Sequence, residues 1–369
     1  MRRKIRLALV VTAMMAAAVL LATAGQSLPQ SQSSKPEPPR YLGAQACAAC
    51  HAEITEKQQK SMLAKAMQPV PDCQILSSHK ELKFQSGKFT FEIKRQGNQS
   101  MYTVSDGVAQ ISVPLLYCFG QGKSGQTYVY EYNGAKYESR VSFYTAINGL
   151  DFTLGYAKDI PANIVEAAGR QLSVDETRNC FQCHTTGATV NRQLKLDTMV
   201  PGVHCEACHG PGEKHVAAVK AGEKAGAGMK RLSDLDGDDI NQKLCGDCHR
   251  SAEEVFELPN RAGINSVRFQ PYRIFHSRCY SADRRIGCTA CHDPHGDLET
   301  SAAFYDSKCL ACHLVKNDKP TAERAARACP TGKSKCTDCH MPKIDLPGAH
   351  FKFTDHRIRI AREGAPYPN

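Results

Sequence analysis

The chain has no tryptophan, and phenylalanine and tyrosine together make up only 7% of its 369 residues. A length sufficient for two modest domains ordinarily carries more aromatic bulk in its core, so side chains alone do not supply the apolar interior here. No cysteine follows the small-residue stretch Ala22-Thr23-Ala24, which argues against a lipoprotein anchor. The segment Gly120-Gln121-Gly122-Lys123-Ser124-Gly125 ends like a phosphate loop. Tyr117 stands where the earlier glycine is required, however, and a strand pattern follows instead of a helix, so the segment reads as a glycine-rich β-turn.

What the chain has in excess is cysteine, eighteen in all, of which fourteen fall in seven copies of Cys-x-x-Cys-His. The copies pair Cys47 with Cys50, Cys180 with Cys183, Cys205 with Cys208, Cys245 with Cys248, Cys288 with Cys291, Cys309 with Cys312 and Cys336 with Cys339. Their histidines are His51, His184, His209, His249, His292, His313 and His340. On a helical turn, sulfurs at i and i+3 share one face and can form thioethers with the two vinyl groups along one porphyrin edge, while the adjacent histidine reaches the iron. Zinc ribbons need no histidine directly after each Cys-x-x-Cys, and thioredoxin-like motifs do not recur sevenfold. The pattern therefore points to seven covalent haem c groups, which would provide the missing apolar bulk.

The N-terminus reads as an export signal over residues 1–24: Arg2, Arg3, Lys4 and Arg6 precede an apolar run from Leu7 to about Leu21. An uncleaved anchor is the alternative, since Leu7 to Ala24 is barely long enough to span a bilayer. Either way the haem-bearing part is expected in the periplasm or otherwise outside the cytoplasm, where haem c is attached and thiols can be oxidised. The formal charge of +10 falls to +6 when the four leader cations are removed. Two propionates and one ferric porphyrin charge per haem then bring the holoprotein to about −1, so the basic chain serves propionate pairing and gives no support for nucleic-acid binding.

Taken in order, residues 25–40 are rich in Ser, Gln and Pro and read as a flexible linker, followed by a first haem-binding segment at 41–81. Its helix is expected from Ala52 to about Met67. A β-rich insert is expected at 82–155, because Phe89, Phe91 and Ile93 alternate with polar residues, as do Tyr128, Tyr130 and Tyr132, with turn signals at Gly97-Asn98, Asp106-Gly107 and Asn133-Gly134. Residues 156–369 then form a hexahaem domain whose short intervals keep neighbouring haems close, as a wire requires. The expected fold is a multihaem cytochrome c of mainly short α-helices and loops packed on seven haems, with a small antiparallel β-unit inserted between haem 1 and haem 2.

Seven further histidines, His79, His204, His215, His276, His295, His350 and His356, match the motifs in number and suggest a second histidine ligand for every iron. His215, His295 and His356 are the better placed. Four cysteines lie outside the motifs, Cys73, Cys118, Cys279 and Cys329; they permit three disulfide pairings.

The segments YLGAQACAACH, GVHCEACHGPGEKHV, CTACHDPHG and CTDCHMPK, with FTDH following, resemble the exported multihaem cytochromes that include the nitrifier tetrahaem cytochrome c and the octahaem hydroxylamine oxidoreductase and tetrathionate reductase enzymes. The resemblance covers the first helix and most of the chain after Cys180, but not the β-unit. It implies haem c, an export address and electron transfer, with His215, His295 and His356 at distal-ligand positions. Many such relatives carry Ser-x-His-Ala-x-Ala after the first motif, where this chain has Ser61-Met62-Leu63-Ala64-Lys65-Ala66. The sixth ligand of haem 1 is then Met62, Met67, a remote histidine such as His79, or nothing.

The preferred function is electron transfer between redox donor and acceptor proteins, with a membrane quinol-oxidising complex among the candidate donors and oligomers allowed. The alternative is an oxidoreductase acting on a small nitrogen or sulfur compound at a five-coordinate haem. No Cys-x-x-Cys-Lys motif marks such a site, which leaves catalytic residues unassigned.

Overall fold

In the computed structural model of the chain, the described residues are 40–368 apart from 157–159, 225, 259–262, 282–285, 314–328, 330–331, 333 and 366. The expected export signal and nearly all of the linker fall on residues 1–39, outside the described residues.

The first motif sits on α1 (Ala44–Ala48), and α2 (Ala52–Lys60) follows directly. The helix stops at Ser61 and does not run on to Met67. From there the backbone is drawn into tertiary hydrogen bonds: Met62 N–H donates to Asp297, Leu63 C=O accepts from Val203, and Ala66 C=O accepts from Gly120. Met67 instead opens a strand, β1 (Met67–Pro69), and α3 (Gln74–Ser78) comes next.

Strands β2 (Glu81–Ser86), β3 (Phe89–Gln96), β4 (Gln99–Ser105), β5 (Gln110–Phe119), β6 (Gln126–Tyr132), β7 (Ala135–Tyr144) and β8 (Gly149–Phe152) then pair antiparallel in chain order. β1 adds to β5, and β9 (Gly169–Gln171), which follows α4 (Ile164–Ala168), adds to β7. The turns form where the sequence signals them. At Asn133-Gly134 both residues have positive φ, as a tight two-residue hairpin with right-handed strand twist requires.

This nine-stranded sheet overturns the expectation of mainly short helices and loops packed on haem. The sheet curls until its end strands almost meet, with the Phe84 ring of β2 5.2 Å from that of Phe152 on β8. Its interior is protein: Phe89, Phe91, Ile93, Tyr102, Val104, Tyr128, Tyr130, Val141 and Phe143 form one buried cluster. Alternation alone shows that these segments are strands, but it does not show that they close around a side-chain core large enough to need no porphyrin.

Past the sheet the described residues form short helices and three two-stranded antiparallel pairs, 185–186 with 200–201, 189–190 with 193–194, and 343–345 with 352–354. The helices are α5 (Val174–His184), α6 (Cys205–His209), α7 (Glu213–Lys220), α8 (Gly246–His249), α9 (Ala252–Glu257), α10 (Gln270–Phe275), α11 (Arg278–Ser281), α12 (Ala302–His313) and α13 (Cys336–His340). Among the described residues no helix is long and apolar enough to cross a membrane.

Candidate haem-binding motifs and their histidines

Each Cys-x-x-Cys-His copy winds as a turn in which the histidine N–H reaches back to the first cysteine carbonyl, at 2.8 Å for His51 and Cys47 and 2.9 Å for His249 and Cys245 and for His292 and Cys288. The turn sets both thiols of a copy on one side. None of the motif cysteines is in a disulfide.

Copies distant in sequence lie together in space. Thiols from different copies are near neighbours: Cys47 of Cys205, Cys183 of Cys248, Cys245 of Cys288, and Cys309 of Cys336. Cys208 also feels the field of Cys245, and Cys291 that of Cys309. The copies thus follow the spatial order first, third, fourth, fifth, sixth, seventh, with the second against the fourth. A cavity of about 310 Å³ lies where the second, third and fourth copies converge, lined by Gln182, Ala207, Cys208, Leu244, Asp247 and Cys248.

Three buried polar side chains hold these neighbours in place. The Glu206 carboxylate, inside the third copy and 2% exposed, accepts from Leu42 N–H at 2.9 Å, Gly43 N–H at 2.8 Å and Gly212 N–H at 2.7 Å, which ties the entry to the first copy onto the third. Asn241, fully buried before the fourth copy, accepts from Cys288 N–H at 2.8 Å and donates to Ile286 C=O at 2.7 Å, fixing the start of the fifth. Asp306, three residues before Cys309, accepts from Lys335 N–H at 2.7 Å and Cys336 N–H at 2.8 Å, fixing the start of the seventh. Sequence reasoning missed all three. The available signal was a carboxylate or amide set within or just before a motif.

The imidazoles arrange themselves in facing pairs. His209 and His295 stack with centroids 6.3 Å apart at 14°, and His292 faces His356 at 6.2 Å and 38°. A metal-bound ring nitrogen stands about 2 Å from the metal, and the ring centre roughly 1 Å beyond it, so two imidazoles across one ion have centroids about 6 Å apart. Both pairs have that spacing. Burial holds His184, His249 and His292 below the ordinary imidazole pKa, and burial with the neighbouring His295 does the same for His209. His356 is pushed down to about 4 by burial and then by His292. A neutral imidazole is the form that ligates.

Ring-nitrogen hydrogen bonds sort the remaining histidines. Nδ1 donates to a backbone carbonyl in His184 (Ala66, 3.0 Å), His340 (Arg359, 3.1 Å), His215 (Ala227, 2.9 Å) and His356 (Thr354, 3.0 Å), the outer contact that turns Nε2 toward a metal. His295 Nδ1 stands 3.4 Å from Asp293. The Nε2 of His276 is buried among Phe256, Tyr272 and Phe275 without a hydrogen-bond partner. His79, His204 and His350 are engaged elsewhere: His79 with Ile75 C=O at 2.9 Å and Asn148 at 3.0 Å, His204 Nε2 with Pro201 C=O at 2.9 Å, and His350 Nε2 with Asp151 at 2.7 Å. Met67 is buried in the cluster with Phe119 and Phe181, and Met62 Sδ accepts from Lys123 Nζ at 3.6 Å. Of the four cysteines outside the motifs, Cys73 and Cys118 are fully buried with their thiols in contact.

Paired thiols on helical turns, facing imidazoles, an orphaned buried Nε2 and a cavity walled by motif residues all fit haem c. Known proteins agree. Residues 157–210, which hold the second and third copies, match the family described as cytochrome c554 and c-prime. The crystal structure of the outer cell wall cytochrome OcwA aligns with a TM-score of 0.51 at 16% identity, over 86% of this chain and 79% of that one, a likeness of fold. Nothing among curated proteins matches. The motif geometry and the family match over residues 157–210 support covalently bound haem c at these copies, and the second likeness is one of fold.

Proposed function

We propose that the chain is an exported heptahaem cytochrome that carries electrons along its haems in the spatial order of the motifs. The fourteen motif cysteines hold the porphyrins and the seven motif histidines the irons. His295 completes the coordination begun by His209, and His356 that begun by His292. Bound haem supplies a one-electron carrier at each site. The polypeptide fixes the spacing and places the Glu206, Asn241 and Asp306 clamps so that neighbouring carriers stay in register. Closely spaced carriers exchange electrons without large protein motion.

The observation that carries this reading is the close approach of copies far apart in sequence, tied by Glu206, Asn241 and Asp306, which makes the anchoring edges of successive porphyrins neighbours. The organisation that goes with it is a leader at 1–24, a linker to residue 40, a first haem segment, the β-rich part, and a hexahaem part from 156. Export is supported by the basic-apolar leader and by the cell-wall setting in OcwA's title. The partners are redox proteins, with a membrane quinol-oxidising complex as one donor class. Kinship with the nitrifier tetrahaem cytochrome and the octahaem enzymes belongs to this reading and rests on the quoted motifs.

Mass spectrometry of the exported protein, paired with a coulometric titration, is the test. The expected result is the polypeptide plus seven tetrapyrroles, taking up seven electrons on full reduction. A bare polypeptide mass, or fewer than seven electrons from protein with seven haems, overturns it.

A further inference from the structure

Equal numbers of motif and non-motif histidines suggest a second histidine for every iron. The hydrogen bonds of the folded chain remove that equality. All fourteen histidines lie within the described residues, so the tally is complete for this chain.

A histidine binds a metal through a ring nitrogen that carries no proton and has no other partner, while its other nitrogen donates to an outer acceptor. His215 and His356 hold that posture, with Nδ1 on a carbonyl. His295 holds it with Nδ1 beside Asp293, and His276 presents a buried Nε2 with no partner. The other three do not. His350 donates from Nε2 to the Asp151 carboxylate while its ring packs 4.8 Å from Tyr144, which docks it on the β-sheet. His204 gives Nε2 to Pro201 C=O and brings Nδ1 to 3.3 Å from the Gln58 side chain. His79 is held at both nitrogens, and its ring lies 4.9 Å from Phe143. The thioethers nearest the first motif are no better placed, with Met67 in the sheet's core and Met62 against Lys123.

We infer that four of the seven haems take a second histidine, from His215, His276, His295 and His356, and that the other three present an open iron able to bind a small lone-pair donor. The haems at His209 and His292 are among the four, since their partners face them across a ligation distance. The open irons are therefore among those of His51, His184, His249, His313 and His340. The chain then holds small-molecule binding positions inside its electron path, where a bound ligand is within reach of stored electrons.

This inference rests on the heptahaem reading, and the haem count separates the two. A pyridine haemochrome assay of the exported protein giving fewer than seven haems overturns that reading and this one with it. With seven present, carbon monoxide titration of the fully reduced protein is expected to saturate at three per chain, and the ferric protein to show three high-spin haems in magnetic circular dichroism. No carbon monoxide uptake with seven bis-histidine signals overturns the inference, and so does a near-695 nm methionine–iron band in place of the high-spin signal. In folded variants, H295A and H356A are each expected to raise carbon monoxide uptake by one, whereas H79A, H204A and H350A leave it at three. A fall in low-spin signal in any of the last three overturns the assignment of that residue.

Discussion

A histidine's role here is decided by what its second nitrogen touches, which no count of residues reveals. His204 and His356 are equally plain in the sequence, yet one gives Nε2 to Pro201 and the other turns it toward His292. The motifs themselves were legible because their chemistry is local, two cysteines and a histidine along five residues. The clamps were not, because Glu206 acts on residues more than 160 positions away. Replacing Glu206 with alanine leaves three backbone N–H groups without their acceptor in a site the side chain had filled. At about 1–3 kcal/mol for each unsatisfied buried donor, the loss should reach at least about 3 kcal/mol, read as a lower melting temperature with the haem count unchanged. Arg273 and Asp355 are a second such case. Both side chains are fully buried, bonded at 2.9 and 3.0 Å, and Asp355 adjoins His356. Asp355→Asn strands a buried guanidinium and should cost about 3–5 kcal/mol. It should also loosen the His292 to His356 pair, seen as a high-spin signal at one haem.

At the scale of elements, the strands were readable from alternation and their turns from Asn-Gly and Asp-Gly pairs, while the length of α2 was not. Its polar sequence continues past Lys60 without a breaker, and it is the remote partners of Met62, Leu63 and Ala66 that draw the backbone out of the helix. One of those partners depends on a glycine. Gly202 has φ +82°, and a Cβ there would stand 1.9 Å from Ala64 C=O. Gly202→Ala should therefore push the approach to the third motif away from the segment behind α2, with about 1–3 kcal/mol of backbone strain added to the clash. A lower midpoint in denaturant checks it. Helix α5, which carries the second motif, begins with a capping box in which Ser173 Oγ accepts from Glu176 N–H and the Glu176 carboxylate accepts from Ser173 N–H. Ser173→Ala should cost about 1 kcal/mol. The Ser173 N–H, and after it Arg170, hold the Glu176 carboxyl down to about 2. The contribution of a depressed carboxyl is complete above its unfolded value of about 4.3 and disappears as the pH falls through the folded one. Melting temperature should accordingly drop between pH 4 and 2 in the parent protein, and Glu176→Gln should flatten part of that drop.

The molecule as a whole is divided between two kinds of interior, and the sequence disguised the division by its overall poverty in aromatics. Those it has are concentrated: Phe84, Phe89, Phe91, Tyr102, Tyr128, Tyr130, Tyr137, Phe143 and Phe152 all belong to the sheet's own core or pack on it. Beyond the second motif the protein-only core shrinks to small groups such as Ala252, Val255 and Tyr272, and the motif thiols stand partly open. A fold class inferred from the average composition therefore gave too much of the chain to porphyrin. The two halves should part when the cofactor is withheld. Expressed without residues 1–24 in a host that attaches no haem c, the chain should retain strand signal in far-UV circular dichroism and a cooperative transition from the sheet. The segments after Cys205 should lose their short helices, since helices of four to eight residues such as α6, α7 and α8 do not stand without packing. Limited proteolysis should then leave a resistant fragment containing residues 67–171. If the cofactor-free chain resists protease throughout its length, protein contacts hold the C-terminal half together; if the 67–171 region is cut as fast as the rest, the sheet too needs its haem-bearing neighbours.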